Sequence, residues 1–167
     1  MPDPEPFEGS TLWAVRRKVG TDLLLWPGAT VLVERADGHV LLGRRGDDRG
    51  WAMPGGGSEA GSSFARTALQ ELAEEVGLSA EADDLEPFAT VSEPEDHLIA
   101  YPNGDRTHYF GLFFALRRWR GEPRPDGREI LEVGFFDPRD PPPMTRSNAV
   151  ALELYAAYRR TGRFQVR

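Results

Sequence analysis

Glu71, Glu74 and Glu75 crowd onto little more than one turn of a segment with helical periodicity. Residues three and four apart share a helix face, so Glu71 stands beside both of the others. Carboxylates this close repel one another in water, and the helix gains nothing from them in folding. The repulsion becomes useful when a hard divalent cation sits among them, because Mg2+ prefers oxygen ligands. Directly ahead in the chain lie Gly55, Gly56 and Gly57. Glycine allows close approach to the main chain, exposing carbonyls to a cation and amides to an anion.

The elements that must position this unit follow from the local pattern. Ser62 or Ser63 suits the N-cap of a helix over Phe64 to Val76, and Gly77 suits its C′ position. Ala65, Ala68, Leu69, Leu72 and Val76 supply the apolar stripe that docks it. Ala29 to Glu34 and His39 to Gly43 read as strands around an Asp37-Gly38 turn, which predicts a hairpin. Leu12 to Val19 and Leu23 to Trp26 read as short strands covering a sheet edge. Leu85 to Ser92, His108 to Trp119 and Ile130 to Phe136 read as further strands, and Ser147 to Arg160 as a terminal helix. The order predicts an α/β (α+β) sandwich, a mixed sheet flanked by helices.

Bulk properties narrow the class. A chain of 167 residues, 40% hydrophobic and 28% charged, fits a single domain over residues 11–167 behind a disordered lead-in over residues 1–10. No apolar run approaches the ~20 residues of a membrane span. Met1 to Ser10 has neither the basic nor the apolar region of a secretory signal, so a cytoplasmic protein is expected. The absence of cysteine excludes disulfides, thiolate metal sites and a cysteine nucleophile. A net charge of −7 argues against broad affinity for nucleic-acid polymers, while leaving arginines free to hold small anions. His39, His97 and His108 share no metal-ligand spacing.

The segment from Gly56 to Leu78 resembles the signature of the Nudix hydrolases, G-x5-E-x7-R-E-U-x-E-E-x-G-U, where U is a bulky aliphatic residue. Gly56 opens the pattern, and Glu71-Leu72-Ala73-Glu74-Glu75-Val76-Gly77-Leu78 completes it. Trp51-Ala52-Met53-Pro54 ahead of it and Glu129 to Phe136 beyond it also look like the family. Two positions depart, with Ser62 in place of the first glutamate and Gln70 in place of the arginine. Losing one charge of a partly buried pair costs ~3 to 5 kcal/mol, whereas losing both leaves two neutral groups. Gln70 is then expected to hydrogen-bond Glu71 without supplying charge.

The resemblance implies a Nudix-like α/β/α sandwich with a mixed sheet. It also implies Mg2+-dependent hydrolysis, with Mn2+ as substitute, of a pyrophosphate bond in a nucleoside diphosphate derivative. A nucleotide, a nucleotide sugar or an ADP-ribose-like molecule would fit. On this reading Glu71, Glu74 and Glu75 are catalytic, and they bind the metal together with the Gly55 carbonyl. Glu71 is either a ligand or the base that orients water, and Glu129 is a later acid. The altered pair leaves a second implication, a catalytically weakened Nudix-fold module that binds or senses nucleotides. Around the box, Arg44 and Arg45 are either solvated strand-end charges or phosphate contacts. Trp51 is packing or a base-stacking surface; Tyr101 and Asp105 belong to a tight turn or touch substrate. A second copy of the chain, docked through Leu12 to Trp26, is the one protein partner expected.

Overall fold

In the computed structural model, which describes residues 9–47, 50–101 and 103–167, the chain opens with a helix where strand was expected. Helix α1 spans Thr11–Val19, and the Ser10 side chain caps it by accepting the Trp13 N–H at 3.1 Å. Leu12, Val15 and Val19 recur three and four apart, a helical period, and Arg16, Arg17 and Lys18 complement the C-terminal end of the helix dipole. The lead-in read over residues 1–10 falls almost wholly outside the described residues.

The remaining elements are β1 (Leu23–Val33), β2 (Val40–Arg45), β3 (Trp51–Ala52), β4 (Gly55–Gly57), α2 (Phe64–Val76), β5 (Glu86–Val91), α3 (Pro94–His97), β6 (Leu98–Ala100), β7 (Arg106–Leu116), β8 (Ile130–Phe136), α4 (Arg146–Thr161) and β9 (Gln165–Val166). The two strands read at Leu23 to Trp26 and Ala29 to Glu34 are one strand, running through Pro27. Proline has no N–H to give, but β4 pairs only with Gly28 to Thr30, so the ladder on that side needs none from Pro27.

One mixed sheet has the order β4-β1-β7-β5-β9, with β6 added on β7; a second has the order β3-β2-β8. Strands β1 and β7 run parallel along their whole length, β4 is antiparallel to β1 and β5 to β7, and the short β9 runs parallel to β5. The expected hairpin does not form. The turn itself closes, with the Arg35 N–H on the His39 carbonyl at 2.9 Å and Gly38 at φ 85°. A lone Glu34–Val40 bridge is the only ladder contact there, and the two strands enter different sheets. Alternation along the strands explains why. Val31, Val33 and Leu41 pack with Ala68, Leu72 and Val76 of α2, whereas Leu32, Val40 and Leu42 pack with Ala151, Leu152 and Tyr155 of α4. Two cores on opposite faces give the α/β/α sandwich. No described helix is long and apolar enough to cross a membrane.

One buried histidine sets a pH dependence. His97, only 3% exposed, packs near Phe113, and neither ring nitrogen has a hydrogen-bond partner among the described residues. Burial pushes its pKa below the ordinary 6.5, outweighing the Glu93 carbonyl and Asp96, which favour the protonated ring. A depressed histidine leaves the folded state with fewer bound protons, so this contribution is lost as pH falls below about 6.5. We expect lowering the pH from 7.5 to 5.5 to shift the melting temperature more favourably in His97→Leu than in the parent; an identical shift in the two proteins counts against this origin.

Candidate active site

The acidic helix and glycine loop are brought together by β4, a strand made of Gly55, Gly56 and Gly57 alone. The Ser63 side chain caps α2 by accepting the Arg66 N–H, and Gly77 ends it at φ 69°. Ala68, Leu72 and Val76 are fully buried, which fixes the roll of the helix and turns its glutamates toward β4. Thr67 Oγ1 lies 3.0 Å from Ser58 Oγ and 3.2 Å from Ser62 Oγ, stitching the loop to the first turn of the helix.

Each glutamate has a different setting. Glu75 is 5% exposed and accepts the Gly55 N–H at 2.9 Å. Glu71 is half-buried against Gly56, where a Cβ would lie 2.5 Å from its Oε1. Glu74 is exposed and accepts the Gln70 amide at 2.9 Å. Gln70 therefore serves Glu74, one helical turn on, and not Glu71 as the sequence led us to expect. Ser62 likewise stays with Thr67, so the two altered box positions do not touch each other's partners.

Electrostatics mark the same residues. Burial, reinforced by Glu74, Glu129 and Glu59, pushes the Glu71 carboxyl up to about 7. Burial pushes Glu75 up to about 8, against the Gly55 N–H bond and Arg45, with Glu71 and Glu129 adding to the rise. Desolvation is the larger cause for both carboxyls and neighbouring negative charge adds to it, so a positive charge brought close would favour their ionised forms.

The main chain supplies a further oxygen. The Ser58 N–H reaches the Pro27 carbonyl and the Val31 N–H reaches the Pro54 carbonyl, at 2.9 and 2.8 Å. In the alternating antiparallel pattern this leaves the polar groups of Gly55 and Gly57 pointing away from β1, off the open edge. The Gly55 N–H takes Glu75 there, and the Gly55 carbonyl faces the same edge. Among the described residues no three acidic or histidine side chains converge closely enough to share one metal ion. The donor chemistry nevertheless fits a hard divalent cation, with hard oxygens only, raised carboxyl pKa values and a glycine where any side chain would collide with Glu71.

The surrounding candidates divide. Arg45 turns toward the carboxylates, held by Asp47 at 2.8 Å and favoured by Glu75 and Glu129. Arg44 points to Glu132 across the ladder at 3.1 Å. Glu129 stands beside the pair that joins Arg45 to Ile130, and its carbonyl accepts the Gly46 N–H at 2.8 Å. Trp51 packs edge-on against Phe136, with centroids 4.7 Å apart. Asp105 faces Arg16 at 3.6 Å and the Tyr101 hydroxyl lies 3.1 Å from that of Tyr109, at the β6–β7 turn. That turn lies five residues along β7 from the level of Gly28, about 17 Å at strand rise, so Tyr101 and Asp105 are not gathered with the glutamates.

Sequence reasoning missed Glu59 and Asp126. Glu59 accepts the Thr11 N–H at 2.8 Å, tying the box loop to α1. Asp126 accepts three main-chain amides just ahead of Glu129. The Asp126-Gly127 turn signal was the available clue to the second; the first depends on a partner remote in sequence.

Residues 24–158 match the NUDIX domain, and the chain belongs to that family. It is 35% identical over 80 residues to an RNA pyrophosphohydrolase of Novosphingobium aromaticivorans, covering 46% of this chain and 47% of that protein. The chain thus spans about half the length of the curated relatives it matches. A MutT NUDIX hydrolase from Burkholderia pseudomallei superposes with a TM-score of 0.65 at 27% identity, covering 78% of this chain and 97% of that one. An ADP-ribose pyrophosphatase from Streptococcus suis shares the fold, with a TM-score of 0.55 at 20% identity over 85% of this chain and 98% of its own.

Proposed function

We propose that this chain hydrolyses a pyrophosphate bond in a nucleoside diphosphate derivative, using Mg2+ or Mn2+. The observation that carries this reading is the pairing of Glu71 and Glu75, both with raised pKa values, with the outward-facing main chain of Gly55–Gly57. When bound, the cation would screen the phosphate oxygens and make an attacking water more acidic. Glu75, Glu74 and the Gly55 carbonyl are the groups to hold it, and Glu129 adds a further carboxylate, the fourth of the site when Glu71 is included. Glu71, half-buried against Gly56, would orient the water and take its proton. Arg45, turned inward, is the contact for a phosphate oxygen.

The test is a release screen in Mg2+ and in Mn2+. Its substrates are nucleoside triphosphates, ADP-ribose, nucleotide sugars, dinucleoside polyphosphates and a 5′-triphosphorylated RNA oligonucleotide. Metal-dependent cleavage of at least one, with water oxygen entering the product phosphate, is expected. The spent side chains of Ser62 and Gln70 favour one rival, a module that binds nucleotides without turning them over. Calorimetric nucleotide binding with no release from any compound in either metal decides for that rival.

A further inference from the structure

Between Arg120 and Glu129 the chain runs along the end of α2 and returns to β8 through a turn governed by one carboxylate. Asp126 accepts the Arg128 N–H at 3.1 Å and the Ile130 N–H at 2.8 Å on Oδ1, and the Glu129 N–H at 3.2 Å on Oδ2. Gly127, at φ 78°, donates to the Ile130 carbonyl at 3.0 Å and tightens the turn. Although burial opposes it, the three amides hold the Asp126 carboxyl below the usual range.

This turn is anchored at both ends to the acidic site. The Asp126 N–H donates to the Glu75 carbonyl at 3.3 Å, and the Arg124 N–H to the Val76 carbonyl at 3.0 Å. Those are carbonyls that the end of a helix leaves without internal partners. On the other side, the Gly46 N–H holds the Glu129 carbonyl, next to the irregular step between Arg44 and Arg45. Glu129 is thereby suspended between the last turn of α2 and Arg45. Its own carboxylate is exposed and makes no hydrogen bond or ion pair among the described residues. Nothing but the main chain sets its place, and Asp126 sets that main chain.

We propose that Asp126 is the positioning residue for Glu129, clamping three successive amides so that the fourth carboxylate stands over the Glu71–Glu75 cluster. The inference rests on the reading of Glu129 as a cation-holding acid, and it extends the metal site to a loop outside the glycine and helix motif. Supporting groups of this kind typically change metal affinity by about 10- to 100-fold when removed.

The test is Mn2+ binding without substrate, followed by the electron paramagnetic resonance signal of the free ion. The proteins compared are the parent, Asp126→Asn, Glu129→Gln and the double variant, with thermal melts on each. Both single variants should weaken Mn2+ binding about tenfold. The double variant should bind no worse than Glu129→Gln, because Asp126 acts only through Glu129. Asparagine keeps the Oδ1 acceptor for the Arg128 and Ile130 amides but sets an NH2 donor against the Glu129 N–H. Asp126→Ser, with one shorter hydroxyl acceptor, should bind Mn2+ no better than Asp126→Asn and serves as the second variant should Asp126→Asn melt early. Unchanged Mn2+ binding in Asp126→Asn and Asp126→Ser, or additive losses in the double variant, would overturn the positioning role while Glu129 kept its own. Unchanged binding in Glu129→Gln overturns the reading of Glu129 itself.

Discussion

Glu75→Gln is expected to remove at least ~99% of turnover and, in the same protein, to raise the stability of the metal-free state. The two effects share one cause. Glu75 is 5% exposed, and burial drives its carboxyl up to about 8. Glutamine keeps the shape and the acceptor for the Gly55 N–H but carries no charge toward Glu71 or a cation. For an acid whose folded pKa lies above its ordinary 4.5, folding is favoured while both states are protonated. That advantage is lost as pH rises, because the unfolded chain ionises first. Metal-free parent protein should therefore lose stability from about pH 4.5 toward about pH 8, the window set by Glu75 and shared by Glu71. Added Mg2+ should restore it most strongly at the alkaline end. Melting curves in chelator at pH 5, 7 and 8.5 read this directly. The variant should melt several degrees above the parent at pH 8.5 and close to it at pH 5. Equal destabilisation of Glu75→Gln at every pH would mean that the carboxylate is structural, and the argument for a charge-hungry site would fail.

The trend from His97 runs the other way, since its contribution is lost toward acid. The two can be separated because they sit on different elements, α3 and α2, and respond to different substitutions.

How much of this was legible in the sequence depends on the range of the interaction concerned. Helix α2 could be placed from Phe64 to Val76 because its cap, its apolar stripe and its terminating glycine all act within a few residues. The Asp37-Gly38 turn was legible for the same reason. The hairpin around it was not, because which ladder each strand joins is settled by packing against α2 and α4, far away in the chain. At α1 the local signal was ambiguous: the apolar residues fit a helical period, but its anchor is Glu59 in the box loop, 48 residues on. Side-chain destinations were the least legible. Gln70 can reach Glu71 or Glu74 on the helix surface, and only the docked roll of α2 gives it to Glu74. Asp105 is drawn to Arg16, a pairing no local pattern announces.

The glycines of β4 allow a sharper separation of fold from chemistry, and here the expected result is a folded but nearly inactive protein. In Gly56→Ala the new Cβ would lie 2.5 Å from Glu71 Oε1 and 2.7 Å from its Cδ. Those atoms are the end of a flexible side chain, and Gly56 has no positive φ to forbid alanine. Glu71 can rotate away at little cost to the core, so melting should stay within about 3 °C of the parent. The carboxylate then no longer stands over the loop, and kcat should fall by ~100-fold or more with much less change in KM. Gly55→Ala supplies the contrast. Its Cβ would meet the Ala29 carbonyl oxygen at 2.6 Å and the Thr30 Cα at 2.8 Å, which are main-chain atoms that cannot step aside. That variant should lose ~1 to 3 kcal/mol of stability by overpacking and be inactive for a different reason. Near-normal activity in Gly56→Ala would show that Glu71 does its work elsewhere than over β4. A large loss of stability in Gly56→Ala would show that Glu71 is held there by the fold and is not free to move.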